Sequence, residues 1–313
     1  MKDRDILLCS DDLEVTVLNP EDGWPSQRFA LPGVVKQVTL HGKHVFCQPE
    51  QKKAERVTCH GVGLCGEFVW DELAKEAKPG QWFPKAGVGL MRQRPEGGTY
   101  DMWKSYECQR FPVTWEQTNR QQAVFFQRQE PCLGVAANLT RTVSVYRNTV
   151  TVTTELKNTG ERTLNLREYQ HNFLAIDERL MGPGYHLKVP FDGTLGEMSE
   201  STVKIEDYNC HVDGVLQVSG NVMGYRRDME GTACHKVTEE NEILFCPEYR
   251  WTLYHEESPA KVSETVHFRP KGLVIWGIEH CICAEVYDEW KLEPGERRVS
   301  ARTWRFEDEV TGT

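Results

Sequence analysis

The run Arg167-Glu168-Tyr169-Gln170-His171-Asn172-Phe173-Leu174 sets a histidine and an asparagine in the middle of a strand-like stretch. An extended chain points alternate side chains to opposite faces, so Tyr169, His171 and Phe173 share one face. A histidine between two aromatics is either a core imidazole satisfied by a hydrogen bond or a reactive group on an aromatic platform. A second segment, Cys283-Ala284-Glu285-Val286-Tyr287, places a carboxylate in a similar run near the C-terminus. A histidine and a glutamate from distant strands are the parts that a general acid–base pair requires. Glu279, in Ile278-Glu279-His280, lies an even number of residues from Glu285, so an unbroken strand projects both on one face and makes Glu279 the competing base. A pair of nearby carboxylates would push one pKa upward. Both glutamates also fit the plain alternative of solvent-facing residues on an edge strand.

The elements that must position these groups read almost entirely as short strands. Leu13 to Leu18 alternates cleanly, and Thr142–Tyr146, the turn Arg147-Asn148, and Thr149–Thr154 read as a hairpin. Asn158-Thr159-Gly160-Glu161 turns the chain into Leu164–Leu174. Further strands are expected at Val34–Leu40, Ala123–Arg128, Val215–Val218, Glu242–Cys246, Arg250–His255, Val262–Phe268, Gly272–Ile278 and Val299–Phe306. The one helix-like stretch is Glu67 to Lys78. Many strands and scarce helix predict an all-β fold, a large antiparallel β-sandwich, and no linker divides residues 1–313, so a single domain is expected.

Composition bounds the function. The 37 Lys and Arg stand against 47 Asp and Glu, a net charge of −10 with no basic cluster, which argues against a nucleic-acid or anionic-membrane partner. No apolar run approaches the length of a membrane span. Met1 to Asp5 is charged and only Ile6-Leu7-Leu8 follows as an apolar run, too brief for a signal peptide, so a cytoplasmic location is expected. The 11 cysteines contain no Cys-x-x-Cys and no repeated interval, which reads as reduced thiols acting as small hydrophobes and gives no metal site. His41-Gly42-Lys43-His44 does not supply one either. Gly61-Val62-Gly63-Leu64 recurs as Gly87-Val88-Gly89-Leu90 but opens no strand–helix unit, so no nucleotide site follows.

Taken together, these segments resemble the aldose 1-epimerase (galactose mutarotase-like) superfamily. Gln170 to Leu174 is similar to the strand that presents the family's general-acid histidine, and Cys283 to Tyr287 to the strand carrying its general base. Leu292-Glu293-Pro294-Gly295-Glu296 with Thr303 to Phe306 is similar to the closing turn and strand. Phe83 to Leu90 and Tyr106 to Trp115 resemble the segment that builds one wall of the sugar cleft. The resemblance implies a galactose mutarotase-like sandwich, a small-molecule carbohydrate as partner, no cofactor and no metal. It also implies interconversion of the α and β anomers of an aldose, with His171 as acid and Glu285 as base. Lys85, Tyr106, Arg110, Asn172, Asp192 and Glu279 are the implied substrate-binding residues.

Two departures qualify the match. A second histidine, in a His-Gly setting, is replaced by Tyr106 in Ser105-Tyr106-Glu107, while His41-Gly42 and His60-Gly61 lie too early. The arginine near the sugar is matched best by Arg110, with Lys85 and Arg92 as competitors. Asp192, in Val189-Pro190-Phe191-Asp192-Gly193, reads equally as a hydroxyl-binding carboxylate and as a turn residue. A phosphorylated sugar would ask for two or more basic groups at one end of the cleft, and Lys85, Arg92, Lys104 and Arg110 are the candidates. A non-catalytic carbohydrate-binding or sensing protein of the same fold is the rival reading. A hydrolase or lyase is the third, and a glycosidase would need two carboxylates facing each other across the cleft. The oligomeric state is left open.

Overall fold

In the computed structural model, which describes residues 5–53, 58–195, 203–208, 212, 214–238 and 248–308, alternation in the sequence becomes strand after strand. The expected hairpin is present and longer than its apolar pattern. Val135–Tyr146 pairs antiparallel with Thr149–Asn158, closing with Tyr146 opposite Thr149. Arg147 makes the tight turn by adopting φ 49°, the sense of twist that two-residue hairpins demand. Short connections of this kind make neighbouring strands antiparallel. The sole parallel pairing among the described residues joins Gly193–Leu195 to Val203–Asp207.

The strands form an eleven-stranded and a ten-stranded sheet, with a three-stranded sheet of Trp82–Lys85, Gly89–Arg92 and Cys108–Arg110 beside them. The middle of the larger sheet runs Leu64–Val69, Leu164–Asn172, Cys281–Leu292, Gly272–Ile278 in spatial order. Val38, Leu174 and Val286 from this sheet meet Val143, Val152, Trp251, Trp304 and Phe306 from the other in one buried cluster. Each such side chain contributes about 1.5–3 kcal/mol when fully buried.

The strand Leu164–Asn172 is buried on both faces at its C-terminal end. Glu168, Gln170 and Asn172 point between the sheets, where charge must be paired. Arg302 answers it. Its guanidinium binds Glu168 at 2.8 Å, Glu264 at 3.1 Å and the carbonyl of Val286 at 2.9 Å. Glu264 also accepts from the Trp251 indole at 2.7 Å and the Asn172 amide at 3.2 Å. Arg141 comes within 3.6 Å of Glu168. Gly66 on the neighbouring strand leaves room for this layer, since a Cβ there would run into the Gln170 amide and the Arg141 guanidinium.

Where pattern and structure part, local reach explains it. Glu67 to Lys78 divides into the strand Leu64–Val69 and a short helix, Asp71–Glu76. Six helical residues are too few to hold on propensity, and the strand is fixed by pairing with Leu164–Asn172 some hundred residues away. The expected strand at Glu242–Cys246 lies outside the described residues. No helix among the described residues is long and apolar enough to cross a membrane.

Arg302→Met should cost about 3–5 kcal/mol, because it leaves buried Glu264 without its cation and Glu168 with only the longer contact to Arg141. Urea unfolding of the variant measures this, and a midpoint equal to wild type would contradict the pairing described.

Candidate active site

On the outer side of the same strand, antiparallel register sets Glu67, Tyr169 and Tyr287 abreast on three neighbouring strands. One alternation further along, His171 and Glu285 meet, with Nε2 to Oε1 at 3.0 Å. Only 2% of the imidazole and 5% of the carboxylate surface remain exposed. The histidine ring stacks on Phe173, centroids 4.0 Å apart and planes 9° from parallel, while Trp276 and Phe29 meet it edge-on. This is the aromatic platform, and it also fixes the imidazole plane. Tyr287 donates to the other oxygen of Glu285 at 3.2 Å.

Below the pair lies a chain of alternating charge. Glu50, Arg28, Glu67 and Lys85 follow one another at 3.7, 2.7 and 2.7 Å. The Tyr169 hydroxyl accepts from Arg28 at 2.8 Å and donates to Glu67. Lys85 also donates to the carbonyl of Phe68 at 2.7 Å. Two buried cations beside it hold the Glu67 carboxyl down at about 2 despite burial. Glu67 is therefore a permanent anion.

Burial acts the other way on the pair. It pushes the Glu285 carboxyl up to about 8, against a smaller downward pull from Arg28. It drives the His171 imidazole well below its ordinary value, and Arg28 adds to that. A 3.0 Å contact favours the charge-separated pair, but desolvation is the largest influence on both members and disfavours it. The resting pair is thus neutral, with the proton on Glu285 donated to Nε2 and the imidazole hydrogen on Nδ1, an assignment made from the hydrogen bond. Nδ1 is buried with no hydrogen-bond partner among the described residues.

The remaining residues singled out in the sequence fall in several places. Lys85 is in the site, spent on Glu67. Asn172 is on the opposite face of the strand, bound to Glu264 and the carbonyl of Ala284. Tyr106 lies in a small satellite core, stacked on Tyr100, with its hydroxyl accepting from the Asp101 amide at 2.9 Å. Arg110 stands half-buried at the end of the small sheet, its Nη1 buried without a partner. Glu279 is exposed in the turn between Gly272–Ile278 and Cys281–Leu292, so the strand assumed to align it with Glu285 is broken there. Asp192 is exposed beside the turn at Gly220. Arg92 pairs with Glu107, and Lys104 with Glu96 and Asp101, at the surface.

Arg28, Glu50, Glu67 and Tyr287 were not singled out as site residues from the sequence. His60 was set aside as too early, yet Gly61 beside it lies so close to the rings of Phe173 and Phe29 that a Cβ would collide with both. The Glu50 carboxylate takes the Gly61 amide at 2.9 Å, and Trp24 tilts against the His60 ring at 6.4 Å. His60 Nδ1 and Trp24 Nε1 are both buried with no hydrogen-bond partner among the described residues. The signal was present in His60-Gly61 itself, a polar ring followed by a glycine that lets aromatic rings approach the backbone.

No family model and no curated protein matches the chain. Solved structures do. A Synechocystis sp. PCC 6803 protein superposes with TM-score 0.59 at 13% identity, covering 99% of this chain and 97% of its own. A provisionally assigned aldose 1-epimerase of Escherichia coli K12 gives 0.58 at 12%, covering 97% and 99%. A galactose mutarotase related enzyme of Lactobacillus acidophilus gives 0.59 at 10%, covering 97% of each chain. The fold is galactose mutarotase-like. Identities this low carry the galactose mutarotase-like architecture and leave the chemistry to the residues themselves.

A buried carboxyl that titrates near 8 makes stability depend on pH. An unfolded glutamate releases its proton near 4.3. Between that value and about 8, folded Glu285 keeps a proton that the unfolded side chain has lost, so its contribution to stability falls as pH rises through this window, offset below about 6.5 by His171, which is neutral when folded and protonated when unfolded. Glu285→Gln keeps the shape without titrating, so its melting temperature should gain on wild type progressively from pH 5 to pH 9. A difference that stays constant with pH would show that Glu285 is not held protonated.

Proposed function

We propose that this chain interconverts the α and β anomers of an aldose by cofactor-free acid–base ring opening at His171 and Glu285. The observation that carries the reading is the pair itself, an imidazole and a carboxyl, both buried, 3.0 Å apart on an aromatic platform. Aromatic faces suit the apolar C–H surface of a sugar. Sugar hydroxyls and ring oxygen supply the hydrogen bonds that the buried nitrogens of His171, His60 and Trp24 lack. The named enzymes among the fold neighbours support the same reaction class.

Anomer exchange needs one proton taken from the anomeric hydroxyl and one given to the ring oxygen. The C1–ring-oxygen bond then breaks, an aldehyde forms, C1 rotates, and closure on its other face runs both transfers backwards. A pair holding one proton always contains one acid and one base. The family resemblance implies His171 as acid and Glu285 as base; a resting proton on Glu285 exchanges these roles for the first step, and the ion-pair form restores them. Each group is worth about a hundred- to ten-thousand-fold in rate. The permanent anion Glu67, tied to Arg28 and Lys85, holds the surroundings electrically fixed while the proton moves.

One observation favours a second reading, a carbohydrate binder without chemistry: the pair is almost fully shielded from solvent. The glycosidase alternative draws no support from Glu279 or Asp192, both of which are exposed, whereas Glu285 is buried.

Polarimetry on freshly dissolved α-aldoses tests the proposal. Wild type should relax the optical rotation faster than buffer, and Glu285→Gln or His171→Ala should lower that rate by about a hundred- to ten-thousand-fold. The profile of kcat/KM should be level through neutral pH and fall on the alkaline side with an apparent pKa near 8, as the pair loses its single proton. Activity that instead rises through pH 8 would assign the proton wrongly.

A further inference from the structure

Tyr287 belongs to no role assigned so far, yet it is the second ligand of the Glu285 carboxyl. Its hydroxyl lies 3.2 Å from Oε2, while Oε1 faces His171. Its ring stacks on Tyr169, centroids 4.7 Å apart and planes 23° from parallel. Tyr169 is itself pinned at the hydroxyl by Arg28 and Glu67. Tyr287 is part-exposed, whereas Arg28, Glu50, Glu67, Tyr169 and His171 are all buried.

We propose that Tyr287 is the positioning residue of the pair: stacked on an immobilised tyrosine, its hydroxyl clamps Oε2 of Glu285 so that Oε1 keeps its line to His171 Nε2. A carboxyl held at one oxygen cannot rotate about its terminal bond, so the proton stays on the oxygen that faces the imidazole. Its kinetic consequence rests on the acid–base reading above; the clamp itself rests on the contacts just given.

The clamp also tunes the proton. A phenol donating to a carboxyl favours the ionised form, and this hydroxyl draws Glu285 downward against the larger upward push of burial. The other groups that act on Glu285 or adjoin it are His171 and Tyr169 on the histidine strand, Glu67 on the next strand, Arg28 and Glu50 from the loops, and the Cys283 thiol on its own strand. On the remaining side Gly272 lies opposite Tyr287, and the Lys271 amide donates to the Tyr287 carbonyl at 2.8 Å. None of these depends on the Tyr287 hydroxyl, so removing that one atom isolates its effect.

Tyr287→Phe keeps the ring and its stack. The alkaline limb of kcat/KM should move up by about one pH unit, the size one hydrogen bond to a charged group commands. At neutral pH kcat should fall about tenfold with KM little changed. A ring that merely packs would move neither the limb nor kcat, and an unmoved limb overturns the proposal. The 13C shift of the Glu285 side-chain carboxyl, assigned by its disappearance in Glu285→Gln, gives the same answer without turnover. If wild type exchanges no sugar at all, the acid–base reading fails while this titration still decides the clamp. A higher midpoint in Tyr287→Phe supports it; an equal or lower midpoint overturns it.

Discussion

Ionisable groups buried on both faces of one strand constrain everything else in this molecule. Leu164–Asn172 presents Glu168 and Asn172 inward and Tyr169 and His171 outward. Unpaired, any buried charge among these would cost several kcal/mol. The inner face is therefore answered by Arg302 and Arg141 from the opposite sheet, and the neighbouring strand carries glycine at 66 where Arg141 passes. The outer face is served by loop residues, above all Arg28, which lies a long way back in sequence.

The two layers differ in what their charges do. Between the sheets Glu168 and Glu264 both meet the Arg302 guanidinium, and the outcome is a fixed register for the two halves of the sandwich. Outside, Arg28 and Lys85 are paired directly with Glu50 and Glu67, so Glu285 feels Arg28 only at a distance and its direct polar contacts run to His171 and Tyr287. A carboxyl that gains no cation of its own in a dry setting keeps its proton to unusually high pH. Displaced titrations of this kind are where acid–base chemistry is found at neutral pH. The raised carboxyl also lowers stability as pH rises through the neutral range.

Much of this was legible in residue order. Period-two alternation placed Tyr169, His171 and Phe173 together, whereas Asn172, expected at the substrate, falls on the other face of the strand, bound to Glu264. The hairpin at Arg147-Asn148 and the strand Gly272–Ile278 followed from turn chemistry and apolar pattern. What failed was local reading of long-range effects. Glu67 sat in a stretch that reads as helix, because nothing nearby reveals its pairing with Tyr169. Arg28 and Glu50 are charged residues in loops, which are exposed by default, and only the folded chain shows them buried. Glu279 was aligned with Glu285 by assuming one strand, whereas Glu279-His280 forms a turn. No family model matched, so the order and spacing of short motifs carried the fold reading, and the solved structures agree with it at the level of architecture.

The most direct test of the central claim, that a proton shared by Glu285 and His171 exchanges anomers, is two-dimensional exchange NMR on an equilibrated aldose. A panel of free aldoses and aldose 6-phosphates would be run with wild type and with Glu285→Gln. Cross-peaks between the α and β anomeric protons of at least one sugar are expected with wild type, absent in the variant at equal protein concentration. Line-broadening of a sugar that binds saturably but shows no exchange cross-peak, or cross-peaks that survive in Glu285→Gln, would contradict it.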